Sequence, residues 1–217
     1  MTTHGVIFDM DGVLVLSEDA HYRSWKAAGA ARGVDISRQA FLSCFGRINP
    51  DCVRILFGEG IGPDESLRIA DEKELAYRAL VADAVPIAPG ALDLLSRLHD
   101  SGTRIAIGSS APPENIDLIL LRSGIRPFIT ATANGSEVRR GKPAPDVFLL
   151  AAQRLAADPA HCTVVEDAPS GIVAARAAGM HALAVATTHE PRELLHAGAH
   201  EVFPDLAAIP LHALARR

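Results

Sequence analysis

The chain has 217 residues, 48% of them hydrophobic and 22% charged, with a formal net charge of −5. That balance suits one sizeable core with a small insert, and the lack of any basic block excludes nucleic acid as the expected partner. Three cysteines, Cys44, Cys52 and Cys162, form no C-x-x-C pair and read as reduced thiols with no metal framework; no leader-like N-terminus and no run of ~20 apolar residues is present, so a soluble, cytoplasmic chain without membrane contact is expected.

The first element is the apolar run Gly5-Val6-Ile7-Phe8, which leads into Asp9-Met10-Asp11-Gly12. Val, Ile and Phe bounded by Gly predict a buried strand over 6–8. Residues two apart on a strand point the same way, so Asp9 and Asp11 are expected side by side, an arrangement that is costly to bury without a cation or a proton. Residues 17–86 then carry helical rather than strand periodicity. Ile69, Ala76, Ala79 and Leu80 share one predicted helical face, while Gly58, Gly60, Gly62 and Pro63 punctuate two helical pieces. This predicts an all-helical insert, with Pro86 and Pro89-Gly90 marking the return to the core. Beyond it, apolar runs at 104–108, 163–165, 182–185 and 201–203 predict strands. Helices over 91–98, 147–155 and 172–178 lie between most of them, the last ended by Gly179. Strands alternating with helices predict an α/β fold with a parallel sheet covered on both faces.

Four polar clusters fall at predicted strand ends, where open parallel sheets bind ligands. Asp9 and Asp11 are either turn aspartates or a nucleophile paired with a proton donor, since a carboxylate can attack a phosphoryl group. Ser109-Ser110 is either a helix cap or a phosphate cradle at a helix start. Lys142, in Gly141-Lys142-Pro143-Ala144-Pro145-Asp146, is either a surface lysine or a fixed cation that neutralises phosphate or crowded carboxylates. Glu166-Asp167 either caps the next helix or completes an oxygen shell for Mg²⁺. Jointly the clusters supply a nucleophile, an acid/base, phosphate donors, a cation and metal ligands.

The segments DMDGVLVLS (9–17), GSSAP (108–112), GKPAPD (141–146) and VVEDAPSGIVAARAAGM (164–180) resemble the motifs of the haloacid dehalogenase superfamily of phosphohydrolases. The resemblance implies a Rossmann-like core of residues 1–16 and 87–217 and an inserted α-helical cap of residues 17–86. It implies that Asp9 is the nucleophile, Asp11 the acid/base, Ser109 the phosphate-binding hydroxyl and Lys142 the motif lysine. It also implies that Asp9, the Asp11 backbone carbonyl and Asp167 bind Mg²⁺, with Glu166 either a further ligand or a partner of Lys142. The dehalogenase branch lacks an acidic residue two after the nucleophile; Asp11 stands there and favours phosphate chemistry.

EDAHYRSWK (18–26) is similar to the start of the cap in the β-phosphoglucomutase-like subgroup. His21 and Trp25, four apart, share a helix face, and His21 lies near enough to the first motif to reach Asp11 or a substrate hydroxyl. Lys73 matches a cap lysine that contacts substrate in that subgroup. The subgroup's mutases grip a distal phosphate with a cap-loop Arg; counted from Gly46 that position falls at Asn49 or Pro50, with Arg47 close but displaced. The expected protein is therefore a monomeric, Mg²⁺-dependent phosphatase. It would act on a small phosphorylated metabolite, a sugar phosphate or similar monoester, through an aspartyl-phosphate. The alternatives are a β-phosphoglucomutase-type mutase and a catalytically silent phosphometabolite-binding protein.

Overall fold

A computed structural model describes residues 4–214. In chain order these form β1 (Gly5–Phe8), α1 (Glu18–Ala30), α2 (Arg38–Leu42), α3 (Asn49–Phe57), α4 (Pro63–Val81), α5 (Ala91–Asp100), β2 (Arg104–Gly108), α6 (Pro113–Arg122), β3 (Ala131–Ala133), α7 (Asp146–Arg154), β4 (Cys162–Glu166), α8 (Pro169–Ala177), β5 (His181–Val185), α9 (Pro191–His196), β6 (Glu201–Phe203) and α10 (Leu211–Leu214). The six strands are all parallel, in the order β3-β2-β1-β4-β5-β6.

The interior strands are apolar because both faces of the sheet are covered. Alternation divides them between two clusters. Val6, Phe8, Ile105, Ile107, Val165 and Leu183 pack with Leu94, Leu95 and Leu98 of α5 and Ile116 and Ile119 of α6. Ile7, Ala106, Val164, Ala182 and Ala184 pack on the other side, with Phe148 of α7, Ile172 of α8 and Leu194 of α9. The α/β class and five of the strands agree with the sequence reading. The edge strand β3 does not appear there, because Ala-Thr-Ala has neither length nor β-branched density to mark it.

Helices α1–α4 insert between β1 and α5 and have their own apolar cluster, built on Trp25, Ile36, Phe41, Phe45, Val53 and Ile69. The chain leaves and re-enters the core through adjoining segments: Leu16 N donates to Pro86 O (2.7 Å) and Ala88 N to Leu14 O (3.0 Å). The predicted face of α4 is corrected. Ile69 is buried, but Ala79 and Leu80 are exposed; the inward face is Ile69, Ala70, Lys73, Glu74, Tyr77 and Val81. Apolar periodicity misplaces this helix because its inward face looks onto a polar chamber, where charged side chains are paired and buried. No helix among the described residues is long and apolar enough to cross a membrane. The three cysteines are buried and free.

Candidate active site

β1 ends at Phe8, one residue before Asp9, whose N–H donates to Val165 O (2.9 Å) and so carries the sheet one bond further. The chain then folds back on itself. Leu14 and Val15 both donate to Met10 O (2.9 and 3.0 Å), and Gly12 donates to Val15 O (2.7 Å). Asp11 thus belongs to a tight loop, and the expectation that the two aspartates share a strand face is corrected; the loop, not the pleat, brings both to one chamber. Gly12 is required in that loop. Its φ is +81°, and a Cβ there would collide with the Asp167 carboxylate. Gly12→Ala should therefore displace Asp167, lowering stability by about 1–3 kcal/mol and weakening divalent-cation binding; thermal melting and a cation titration measure the two effects.

The chamber lies beyond the carboxyl ends of β1 and β2, under the inserted helices, with a volume of about 40 Å³. Its lining includes Asp9, Asp11, His21, Trp25, Gly46, Arg47, Lys73, Ser109 and Ser110, so nine of the sequence-predicted site residues meet here. Lys142 and Glu166 lie beneath, fully buried. Lys142 Nζ stands 3.0 Å from Asp9 Oδ1 and donates to Glu166 Oε1 (2.7 Å). Burial works against the ammonium, but Asp9 and Glu166 outweigh it and hold its pKa above the ordinary lysine range. The second oxygen of Glu166 accepts the N–H groups of Asp167 (2.8 Å) and Ala168 (2.9 Å). Both Glu166 oxygens are thereby engaged, and of the two roles left open for it the geometry presents the partner of Lys142.

Three carboxylates, Asp9, Glu166 and Asp167, bring ligand atoms within 4.8 Å of one another. With Lys142 as their only buried ammonium neighbour among the described residues, three ionised carboxylates carry two negative charges beyond what it neutralises. Burial pushes the Asp9 carboxyl up to about 8, with Lys142 opposing and Glu166 and Asp11 adding to the rise. Burial, Glu166 and Asp9 likewise push Asp167 well up. Asp167 Oδ2 accepts from Thr188 Oγ1, while its Oδ1 is buried without a hydrogen-bond partner. An orphaned carboxylate oxygen beside two crowded carboxylates fits a hard divalent cation, which takes oxygen ligands and relieves their repulsion.

Asp11 has a different environment. Its Oδ1 accepts from Ser17 Oγ (2.6 Å) and Tyr77 OH (3.1 Å) and lies 3.0 Å from His21 Nε2. Burial alone would raise its pKa, but His21, the Ser17 hydroxyl and Lys73 prevail and hold it at about 2. Burial and the Asp11 charge push the Tyr77 phenol above its ordinary range, so it remains a donor. Two adjacent carboxyls are thus driven in opposite directions, the pattern expected where one fold needs two protonation roles.

Ser109 follows β2 and is buried; its Oγ accepts from Ala111 N (3.1 Å). Ser110 instead donates to Gly46 O (2.8 Å), tying the insert to the core. Gly46 has φ +82° and sits where a Cβ would lie 3.2 Å from Ala168 Cβ, so it allows that close approach. Trp25 is chiefly a member of the insert's apolar cluster, with Lys73 Nζ 5.3 Å from its ring centroid. Arg47 is half-buried on the chamber wall, and Asn49 donates to Glu74 Oε1 (2.9 Å). Ser17, Glu74, Tyr77, Asn115 and Thr188 were not picked out in the sequence. Ser17 ends the first motif, and Tyr77 follows Lys73 by four on one helix face, which are the signals that mark them.

The family described as haloacid dehalogenase-like hydrolase matches residues 3–179. The chain is 34% identical to the fructose-1-phosphate phosphatase YqaB of Escherichia coli, over 83% of this chain and 95% of that protein. It is 31% identical to the β-phosphoglucomutase of Bacillus subtilis, over 83% of this chain and 82% of that one. Among solved structures it is similar to a β-phosphoglucomutase from Clostridium difficile, with a TM-score of 0.87 and 25% identity over 96% of this chain and 93% of that one.

Proposed function

Because the chain belongs to the haloacid dehalogenase-like hydrolase family, we propose that it is a Mg²⁺-dependent phosphatase of a small sugar phosphate or similar monoester, working through an aspartyl-phosphate. One observation carries this reading. Asp9 stands at the end of a central strand, paired with buried Lys142 and beside the orphaned oxygen of Asp167, on the wall of the chamber under the inserted helices.

Asp9 attacks phosphorus in line, forming the acyl-phosphate bond as the phosphorus–oxygen bond to the leaving alcohol breaks. Asp11 gives that oxygen its proton and then takes one from the attacking water, which releases inorganic phosphate and restores Asp9. Lys142 and Ser109 face the negative oxygens of the transferring group. Asp9 and Asp167, with the Asp11 carbonyl, are the residues that would hold Mg²⁺, which when bound neutralises phosphoryl charge and keeps Asp9 ionised. Held at about 2, Asp11 is poised as the proton acceptor of the second step. The proton it needs for the first is withheld by the same contacts. Because His21, Lys73 and Tyr77 come from the cap, cap movement governs when Asp11 is protonated. A chamber of about 40 Å³ holds a few waters, so a sugar phosphate needs more room than the seated cap leaves.

A mutase is the second reading, favoured by Arg47, which lines the chamber from the inserted helices. Product analysis decides. With a panel of sugar and polyol phosphates, the phosphatase releases inorganic phosphate, and chelation of divalent ions abolishes that release until Mg²⁺ is restored. Isomerised sugar phosphate without net phosphate release would establish the mutase, and turnover indifferent to chelation would remove the metal from the proposal.

A further inference from the structure

Glu74 is a buried carboxylate that the steps above do not use. It lies on α4, 5% exposed, in the wall between the chamber and a larger groove of about 500 Å³ between the inserted helices and the core. Asn49, Glu74 and Ser110 line both spaces. A carboxylate so buried must have its oxygens compensated, and here the compensation comes from both sides of the cleft. From the cap, Lys73 Nζ (2.8 Å) and Asn49 Nδ2 (2.9 Å) donate to Oε1. From the core, Asn115 Nδ2 donates to Oε2 (2.7 Å). One turn along α4, Arg78 donates to Asn115 Oδ1 (3.0 Å), so the amide of a fully buried core side chain is held at both ends by one cap helix.

The other end of this network is Asp11. Lys73 Nζ lies 2.8 Å from His21 Nδ1. A lysine ammonium only donates, so it takes the Nδ1 lone pair, and the ring N–H falls to Nε2, which lies 3.0 Å from Asp11 Oδ1. The line Asn115–Glu74–Lys73–His21–Asp11 thus runs from the core, through the cap, back to the proton-transfer residue, and each link is a polar contact of 3.0 Å or less.

We propose that Glu74 is a positioning residue that couples the seating of the cap on the core to proton transfer at Asp11. With Asn115 engaged, one Glu74 oxygen is satisfied by the core, and the other holds Lys73 where it orients His21. When the cap lifts from Asn115, Oε2 loses its donor. Lys73 is then drawn across both oxygens of Glu74 and away from the imidazole. Asp11 is therefore oriented as the proton acceptor of the second step only when the cap is seated. The coupling rests on the phosphatase reading for its consequence in turnover, but not for its geometry.

Turnover of p-nitrophenyl phosphate with Mg²⁺ by Glu74→Gln, Asn115→Ala, His21→Asn and the His21→Asn/Glu74→Gln double variant tests it. A glutamine offers one acceptor and one NH₂ group, so Lys73 with Asn49, or else Asn115, must face a donor. Glu74→Gln and Asn115→Ala should each lower kcat by about 10- to 100-fold with little change in KM. The double variant should be no slower than His21→Asn, because Glu74 acts through that ring. Full kcat in both single variants, a loss confined to KM, or costs of Glu74→Gln and His21→Asn that multiply would overturn the proposal. Asn115→Ala keeps Glu74 in place, so it carries the test if Glu74→Gln fails to fold. A second readout is independent of activity. The ring ¹⁵N shifts of His21, assigned against His21→Asn, should move in Glu74→Gln and Asn115→Ala; unmoved shifts refute the coupling. A wild-type protein that releases no phosphate contradicts the phosphatase reading alone, and the shifts still decide the coupling.

Discussion

Asp9→Asn should abolish phosphate release, lowering kcat by at least about 10⁴-fold, yet the metal-free variant should melt no lower than metal-free wild type. The first half follows from chemistry: an amide cannot form the acyl-phosphate, and no other carboxylate lining the chamber takes its place, since Asp11 Oδ1 is engaged by three cap and hinge groups and Glu74 by its own network. The second half follows from electrostatics. Asp9 is buried beside Glu166 and Asp167, and its carboxyl is pushed from an ordinary 3.8 up to about 8. A carboxyl raised on folding weighs against the folded state once it would ionise. Below about pH 4 it is protonated whether the chain is folded or not, and the variant gains nothing. Between about pH 4 and about pH 8 the unfolded chain sheds the proton that the native site retains, so wild-type stability falls relative to the variant. Saturating Mg²⁺ should reverse the order, because the cation binds the carboxylate and stabilises only the native state. Melting curves with and without Mg²⁺ across that range measure both signs. A metal-free variant markedly less stable than wild type would show that Asp9 is a structural anion, not a crowded one.

The parts of this site that the sequence discloses are those next to a strand. Asp9, Ser109 and the pair Glu166-Asp167 each directly follow a buried apolar run, Val6-Ile7-Phe8, Ile105-Ala106-Ile107-Gly108 or Val164-Val165, and a parallel sheet gathers such residues at one edge. The parts it conceals are those whose meaning depends on a partner far along the chain. Glu74 and Asn115 stand 41 positions apart, and His21 and Lys73 52 apart. Nothing local distinguishes Lys73-Glu74 from a solvated helix pair, and the apolar residues that do repeat, Ala76, Ala79 and Leu80, point to the wrong face. A helix that buries charge against charge gives no hydrophobic signal on its inward side. The same reasoning explains the displaced placing of Asp11: strand alternation is a local rule, and it stops at Phe8, where the loop's own hydrogen bonds take over.

Lys142→Met should lower both stability and activity. Methionine fills nearly the same space, so the change removes a charge and leaves the packing over the Phe148 ring, 4.7 Å from Nζ, largely intact. What remains is a fully buried Glu166 facing Asp9 with no cation between them. Breaking a buried ion pair from one side costs about 3–5 kcal/mol, which in a domain of this size lowers the melting temperature by about 6–20 °C. The penalty belongs to the stranded charge, so removing that charge should return part of it: Lys142→Met/Glu166→Gln should melt above Lys142→Met. The glutamine oxygen can still accept from Asp167 and Ala168, and its NH₂ group can occupy the place where Glu166 Oε1 met the ammonium. Activity should not return with stability, because Asp9 and the transferring phosphoryl group still lack their ammonium. A double variant no more stable than the single would mean that Lys142 stabilises the core by packing rather than by charge. Recovered turnover would mean that the lysine serves the carboxylates and not the phosphate.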